Sequence, residues 1–343
     1  MATSDRNFYD RYFFNGYARD GSVFFAAAMG IYPNLQVHDA SFCVVVDGKQ
    51  HILRASKRLG GDRMAMQVGP VSVEITEPLQ RLRIRVGDNE AGIRADLEYQ
   101  ARSLPFEEPH FYRRRGPNVF MDYTRMTQHG AWSGTLSLGG QEFRANDGEW
   151  WGTRDHSWGI RPVGGPDKGA PQPGPQQFFW NWAPVNFEDL CTLYTVSEHR
   201  TGSAGARSGA VLTPYPDAAV TDAAVDHDLR FASGTRHIGK GTTVMLQPEG
   251  GDSLTLEFEP LYHFLMHGLG YGHPTWGHGV WVGENESTYE VIDLADVDLM
   301  RNLHVQTVSR VRAGSREGMG VFESIVLGPH ERYGFKETLD PAG

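Results

Sequence analysis

Hydrophobic and polar residues alternate with a period of two along much of this chain. In "VSVEITEPLQRLRIRVGD" (71–88), Val71, Val73 and Ile75 fall on one face, and Leu82, Ile84 and Val86 do the same after the turn. Side chains of a strand point alternately to opposite faces, so the pattern predicts half-buried strands. "SLTLEFEPL" (253–261) repeats it with Leu254, Leu256 and Phe258, and "HVQTVSRVRAG" (304–314) and "VFESIVLG" (321–328) read the same way. Turn residues predict two hairpins, 41–55 on Asp47-Gly48 and 132–145 on Gly139-Gly140, because such pairs accept the positive φ of two-residue loops. A helical period is hard to find. The opening "RNFYDRYFFNGY" is compatible with one short helix, and "YEVIDLADVDLMRNL" (289–303) is ambiguous.

The 41 glycines and 19 prolines fit many short strands with tight turns, an all-β chain. Its 343 residues suit two domains. "GGPDKGAPQPGPQQ" (164–177) is too rich in Pro and Gly for a ladder or a helix, which makes it a linker between halves 1–163 and 178–343. "TGSAGARSGA" (201–210) reads as a flexible hairpin loop. The halves echo each other. Glu77-Pro78-Leu79 aligns with Glu259-Pro260-Leu261, and laying 148–159 over 318–328 sets Asp155 opposite Glu323. A true duplication would mean two similar β-barrels in tandem.

Charge and cysteine usage narrow the function. Hydrophobic residues at 40% against 22% charged allow a sizeable core. A net charge of −10, with "RRRG" (113–116) the only basic cluster, speaks against a nucleic-acid partner. Cys43 and Cys191 lie in apolar runs and read as buried free thiols of a reducing compartment. The charged N-terminus lacks the apolar core of a signal peptide, and the longest apolar run, 24–33, is far short of a membrane span. A cytoplasmic location is therefore expected. No Walker loop, G-x-S-x-G elbow or CxxC occurs, and "GLGYG" (268–272) lacks the βαβ setting of a dinucleotide loop. No organic cofactor is expected.

Candidate chemistry concentrates in "GEWWGTRDHSWGIRP" (148–162). As a strand, it places Trp151, Thr153, Asp155 and Ser157 on one face and Trp150, Arg154, His156 and Trp158 on the other. A carboxylate beside a tryptophan face, out of water, is pushed toward its protonated form. That form can protonate an alkene carbon, and aromatic faces can steady the resulting cation. The same residues allow a structural acid satisfied by Arg154, Arg161 or backbone amides. In the catalytic reading Arg154 or His156 tunes or relays the proton, and Glu323 is a second acid or base. Trp151, Trp158, Trp180, Trp182 and Tyr194 are candidate pocket walls, with ordinary core packing as the alternative. In "YHFLMHGLGYGHPTWGHG" (262–279), His263 and His267 share a face at a spacing of four and are candidates to orient a substrate, beside Tyr271, or to ligate a metal.

"DHSWG" (155–159), after a strand rich in glycine and aromatics, resembles the Asp-His-x-Trp segment of the carotenoid 1,2-hydratase (hydroxyneurosporene synthase) superfamily. The resemblance implies two lipocalin-like barrels in tandem with few short helices, and a small lipophilic substrate. It implies water addition to isoprenoid double bonds, or cyclisation, with Asp155 as the acid. The chain is shorter and more polar at its start than the carotenoid enzymes, which argues against a C40 substrate. Three functions remain open: an acid–base hydratase, cyclase or isomerase acting on an isoprenoid or terpenoid; a binding protein for a steroid, terpene or fatty acyl chain; and a metal-dependent enzyme using the 263–278 histidines.

Overall fold

The computed structural model describes residues 3–146, 148–165 and 176–343, and its regular structure is strand apart from three short 3-10 turns. Thirteen strands precede the linker: β1 Phe8–Ala18, β2 Phe24–Tyr32, β3 Val37–Val46, β4 Lys49–Arg58, β5 Gln67–Val68, β6 Val71–Glu77, β7 Arg81–Val86, β8 Ile93–Ala101, β9 Phe106–Glu107, β10 Phe111–Arg115, β11 Asn118–Leu138, β12 Gln141–Ala145 and β13 Trp150–Ile160. Nine follow it: β14 Phe178–Asn186, β15 Cys191–Glu198, β16 Ala204–Thr213, β17 Ala219–Asp228, β18 Thr242–Pro248, β19 Leu254–Leu265, β20 Asn285–Asp293, β21 Val305–Ala313 and β22 Arg316–Leu327. Of the expected linker, residues 166–175 lie outside the described residues.

The first sheet runs β20-β4-β3-β2-β1-β13-β11-β8-β7-β6-β5 and curls into a nearly closed barrel, with β9, β10 and β12 attached to β11. Its interior is lined by a cluster of buried side chains that includes Phe14, Phe25, Phe42, Leu97, Tyr99, Trp132 and Trp150. The second sheet, β14 to β19 followed by β21 and β22, closes into an eight-stranded barrel around Val196, Leu246, Phe258 and Phe322. Both predicted hairpins form. Asp47 and Gly48 have φ of 50° and 73°, and Gly139 and Gly140 have φ of 57° and 90°.

Three local expectations are corrected. Residues 8–18 form a strand, β1, rather than a short helix. Its alternation was hidden because both faces are buried: Tyr9, Phe13 and Tyr17 on one, Phe14 and Ala18 on the other. The soft segment 201–210 runs into strand β16 from Ala204 onward. The ambiguous stretch 289–303 begins inside β20, Asn285–Asp293, which pairs with β4 of the first sheet, and continues into the 3-10 turn Leu294–Asp296. Residues His267–Asp293 therefore pack with the first barrel, although they follow the linker in sequence. The outward side chains of β3 and β4 explain this: Cys43, Gln50 and Ile52 are fully buried beneath the turn at Gly268.

Strand β13 is the close seam of the first barrel. A Cβ on Gly152 would stand 2.1 Å from the Asn15 carbonyl oxygen and 2.4 Å from Trp132 Nε1. That indole N–H donates to the same carbonyl at 2.9 Å. The glycine lets β1 and β13 approach with the tryptophan hydrogen bond intact.

Candidate active site

The two faces of β13 serve different environments. Trp150, Arg154, His156 and Trp158 alternate on the inner face, where Trp150 packs with Phe25 in the core. Asp155 and Ser157 lie on the outer face. The ladder sets Asp155 between Phe13 of β1 and Thr127 of β11, and Ser157 between Arg11 and Arg125. Asp155 and His156 thus point to opposite sides. Trp151 shares the outer face but is held between the Arg19 and Arg102 guanidiniums, 4.0 and 4.7 Å from its ring. The expected tryptophan beside Asp155 is replaced by arginine, tyrosine and hydroxyl groups.

Those groups form a polar cluster of buried and partly buried side chains within the first unit. The Arg161 guanidinium stacks 4.2 Å from the Tyr9 ring, donates to the Tyr271 hydroxyl at 3.4 Å and to His278 Nδ1 at 3.2 Å. Arg11 donates to the same Tyr271 hydroxyl at 3.2 Å and to the Leu269 carbonyl at 2.9 Å. Asp39 accepts from the Gly279 amide at 2.8 Å and from the Tyr32 hydroxyl at 3.3 Å. Glu108 accepts from Arg125 on both oxygens, at 2.8 and 2.5 Å, and from Thr127 Oγ1 at 2.6 Å.

Electrostatics sharpen this picture. Burial raises the Asp39 carboxyl above its ordinary range despite the Arg11 charge. Burial likewise raises Tyr9, with Arg161 opposing, and lifts Tyr32 well up, with Asp39 adding to it. Burial works against the charge of Arg125 but Glu108 holds it protonated, and the Asp155 carboxylate adds to that hold. Asp155 keeps partial exposure while Tyr9, Arg11, Thr127, Ser157 and Glu108 around it are buried. A partly accessible carboxylate on a face of fixed cations and phenols can exchange a proton with a bound molecule. The guanidiniums and hydroxyls can receive negative charge developing on an oxygen.

The other predicted residues are spread over separate places. His156 donates to Asp10 Oδ1 at 2.7 Å and stacks on Tyr12 at 4.0 Å, with Trp158 at 5.2 Å. Glu323 lies on β22 of the second barrel, buried, and accepts from His304 Nε2 at 2.6 Å and Gln306 Nε2 at 2.7 Å. Trp182 pairs across the ladder with Glu323, and the Trp180 ring meets His304 edge-on at 6.4 Å. Tyr194 points to the opposite side, into the second barrel beside His227 and Phe322. The three aromatics of that set therefore do not line one pocket wall.

His263 and His267 do not share a face. β19 ends at Leu265 and His267 sits in the 3-10 turn Met266–Leu269, so the two-residue period breaks between them. His263 meets Thr307 Oγ1 at 3.0 Å, and burial, with His237 nearby, lowers its pKa to about 4. The His267 ring lies 4.5 Å from that of His273. Among the described residues, His267, His273 and Glu290 bring possible metal-ligating atoms within 4.8 Å of one another. Yet Glu290 pairs with Arg54 at 2.9 Å. His273 Nδ1 accepts from the Trp276 and Thr275 amides, at 2.9 and 3.2 Å, which commits the neutral ring's Nε2 to carrying the proton. The set as arranged is a poor ligand shell.

Sequence reading missed Tyr9, Arg11, Tyr32, Asp39, Glu108 and Arg125. A signal was present in "FYDRYFF", where Tyr9, Arg11 and Phe13 alternate as a strand face would require.

A family model described as "Family of unknown function (DUF8625)" matches residues 1–336, and the chain belongs to that family. No curated protein matches it by sequence. Several solved structures share its fold. A Nitrosomonas europaea protein described as AttH is 14% identical over 94% of each chain, with a TM-score of 0.53. Kievitone hydratase of Nectria haematococca is 11% identical, covering 92% of this chain and 88% of that one, with a TM-score of 0.51. CghA, solved with Sch210972, is 12% identical over 94% and 89%, with a TM-score of 0.55. At these identities the likeness is one of fold, the tandem-barrel fold implied by the resemblance to the carotenoid 1,2-hydratase superfamily.

Proposed function

We propose that this member of the DUF8625 family is a cofactor-independent acid–base enzyme that moves a proton on a small lipophilic molecule, with Asp155 as the proton-transferring group. The observation that carries the reading is the partial exposure of Asp155 beside the buried Tyr9, Arg11, Thr127 and Ser157. The hydratase among the proteins of like fold supports the reaction class.

The surroundings favour one kind of substrate. Arg11, Arg161 and Tyr271 converge through a shared hydroxyl, and such a group binds an oxygen and draws negative charge onto it. A bare hydrocarbon offers nothing to that cluster, and a carbocation beside two guanidiniums is disfavoured. An oxygenated isoprenoid or terpenoid fits better: its carbonyl, enol or hydroxyl sits against the arginines and its double bond toward Asp155. With negative charge on the oxygen held by the arginines, water or an internal hydroxyl adds to the conjugated double bond, its proton passing to the Asp155 carboxylate and from there to the adjacent carbon, which gives hydration or cyclisation; a proton taken from one carbon and returned to another gives isomerisation.

The test is incubation of wild type and Asp155→Asn with oxygenated and hydrocarbon isoprenoids, terpenoids and steroids in deuterated water. Deuterium on carbon, seen by mass spectrometry with wild type alone, supports the reading. If neither protein labels any compound while both retain the same lipophilic ligands, Asp155 is a structural acid and the protein a binder.

A further inference from the structure

We propose that the interior of the first barrel holds a separate ligand site in which Arg154 binds the carboxylate of a lipophilic carboxylic acid. The proposal does not rest on the role of Asp155, which lies on the opposite face of β13.

Arg154 is 2% exposed. Its Nε–H donates to Gln128 Oε1 at 2.9 Å, and the amide group of Gln128 is in turn held by the Leu79 and Ser103 carbonyls at 2.9 and 2.8 Å. The Tyr99 ring lies 5.9 Å from the guanidinium. Arg154 Nη2 is buried with no hydrogen-bond partner, and no carboxylate is in ion-pair range of Arg154 among the described residues. A guanidinium keeps its charge at any physiological pH, so it cannot escape burial by neutralising. An unpaired buried charge costs several kcal/mol, and a buried cation is ordinarily met by a hydrogen-bonded anion. Here the protein supplies a fixed cation and leaves the anion out.

The ladder describes what leads to it. Phe14, Arg154 and Gln128 form one row across β1, β13 and β11. The next row is Tyr12, His156 and Met126, and the one beyond is Asp10, Trp158 and Thr124. Phe14, Arg154 and Gln128 are buried, whereas all six residues of the two outer rows are partly exposed, so access grades outward along this face. Small and soft side chains, Met29, Ala40 and Ala55, continue the Tyr12 row onto β2, β3 and β4 within the core. Asp10, paired with His156, puts a carboxylate at the outer end. A ligand carboxylate is repelled there and attracted at Arg154, which orients the acid head inward with its apolar chain along Tyr12, His156 and Trp158. Two parallel N–H···O bonds are the arrangement a guanidinium offers a carboxylate.

A fluorescent polyene fatty acid, cis-parinaric acid, and its uncharged methyl ester serve as probes on the full-length protein. Wild type is expected to bind the acid about tenfold or more tightly than the ester, the value of a charge-assisted pair. Arg154→Met should bring the acid down to the affinity of the ester, Arg154→Lys should keep part of the preference, and Asp155→Asn should leave both affinities unchanged. Equal binding of acid and ester by wild type, binding of neither, or an acid preference that survives in Arg154→Met would overturn the proposal. The wild-type comparison needs no variant, and deuterium labelling by Asp155 stands or falls separately.

Discussion

Replacing Glu198 with glutamine perturbs the most enclosed charge of the second barrel. The Glu198 carboxylate is fully buried and accepts three hydrogen bonds: from Arg207 Nη2 at 2.7 Å and His227 Nε2 at 3.0 Å on one oxygen, and from His330 Nε2 at 2.9 Å on the other. The Tyr333 hydroxyl accepts the Leu229 amide at 3.2 Å and so donates to His227 Nδ1 at 2.7 Å. His227 must then present an N–H to Glu198. Glutamine keeps one accepting oxygen and turns the other into an NH2 that faces an N–H donor. Removing one partner of a buried ion pair costs about 3–5 kcal/mol. Arg207 is 33% exposed and recovers water on losing its partner, which favours the lower end, about 3 kcal/mol. For a domain of about 150 residues that is a fall in Tm of roughly 6–12 °C. Calorimetry and urea melts at neutral pH measure it, with the urea slope unchanged. A loss below about 1 kcal/mol would refute the reasoning.

The sign of the pH dependence follows from the same group. Burial alone would raise the Glu198 pKa, but the hydrogen bonds from His227 and His330 outweigh it and hold the carboxyl well below the ordinary value. Its stabilisation is complete above the unfolded-state pKa of about 4.3 and drains away as pH falls toward the folded value. The wild type should therefore lose stability below pH ~4 more steeply than Glu198→Gln.

Other perturbations have equally definite outcomes. Gly152→Ala forces a methyl against the Asn15 carbonyl and Trp132 Nε1, and should cost about 3 kcal/mol in urea melts; a neutral result would mean that β1 and β13 part freely. Cys43 and Cys191 are fully buried, and burial pushes the Cys43 thiol up to about 12, so a thiol-reactive dye at pH 8 should label neither until denaturant is added; rapid native labelling would contradict this. Asp155→Asn should lower proton transfer by roughly 10²–10⁴-fold while leaving the melting temperature within a few degrees, and a collapse in Tm would mark a structural acid instead. Equimolar zinc should leave Tm unchanged, because Arg54 occupies Glu290 and backbone amides occupy His273; a rise of several degrees would show that the cluster rearranges into a ligand shell.

Much of the fold was legible from local pattern. Alternation marked the strands at 71–88, 253–261, 304–314 and 321–328, and Asp47-Gly48 and Gly139-Gly140 announced their turns, because pleat and positive φ are properties of neighbouring residues. The division of β13 into two faces followed from the same period. What alternation could not show was which strands are buried on both faces. β2 is apolar on both sides, and β1 is buried on both with Asp10 on one face and Arg11 and Asn15 on the other, so no single polar stripe marks either strand, and β1 read as a helix.

The sequence by itself determined an all-β chain and the placing of Asp155 and His156 on opposite faces, since these depend on the order of residues along a strand; two barrels in tandem were what the echo of the halves and the family resemblance implied. Tertiary structure alone decided what each face meets. It brought Tyr271 and His278, over a hundred positions away, onto Arg161, and seated Arg154 beside Gln128 with its Nη2 buried and unpartnered among the described residues. It also returned β20 to the first sheet. Pairing between distant strands is chosen by the burial of whole faces, and no window of sequence contains the partner that covers them.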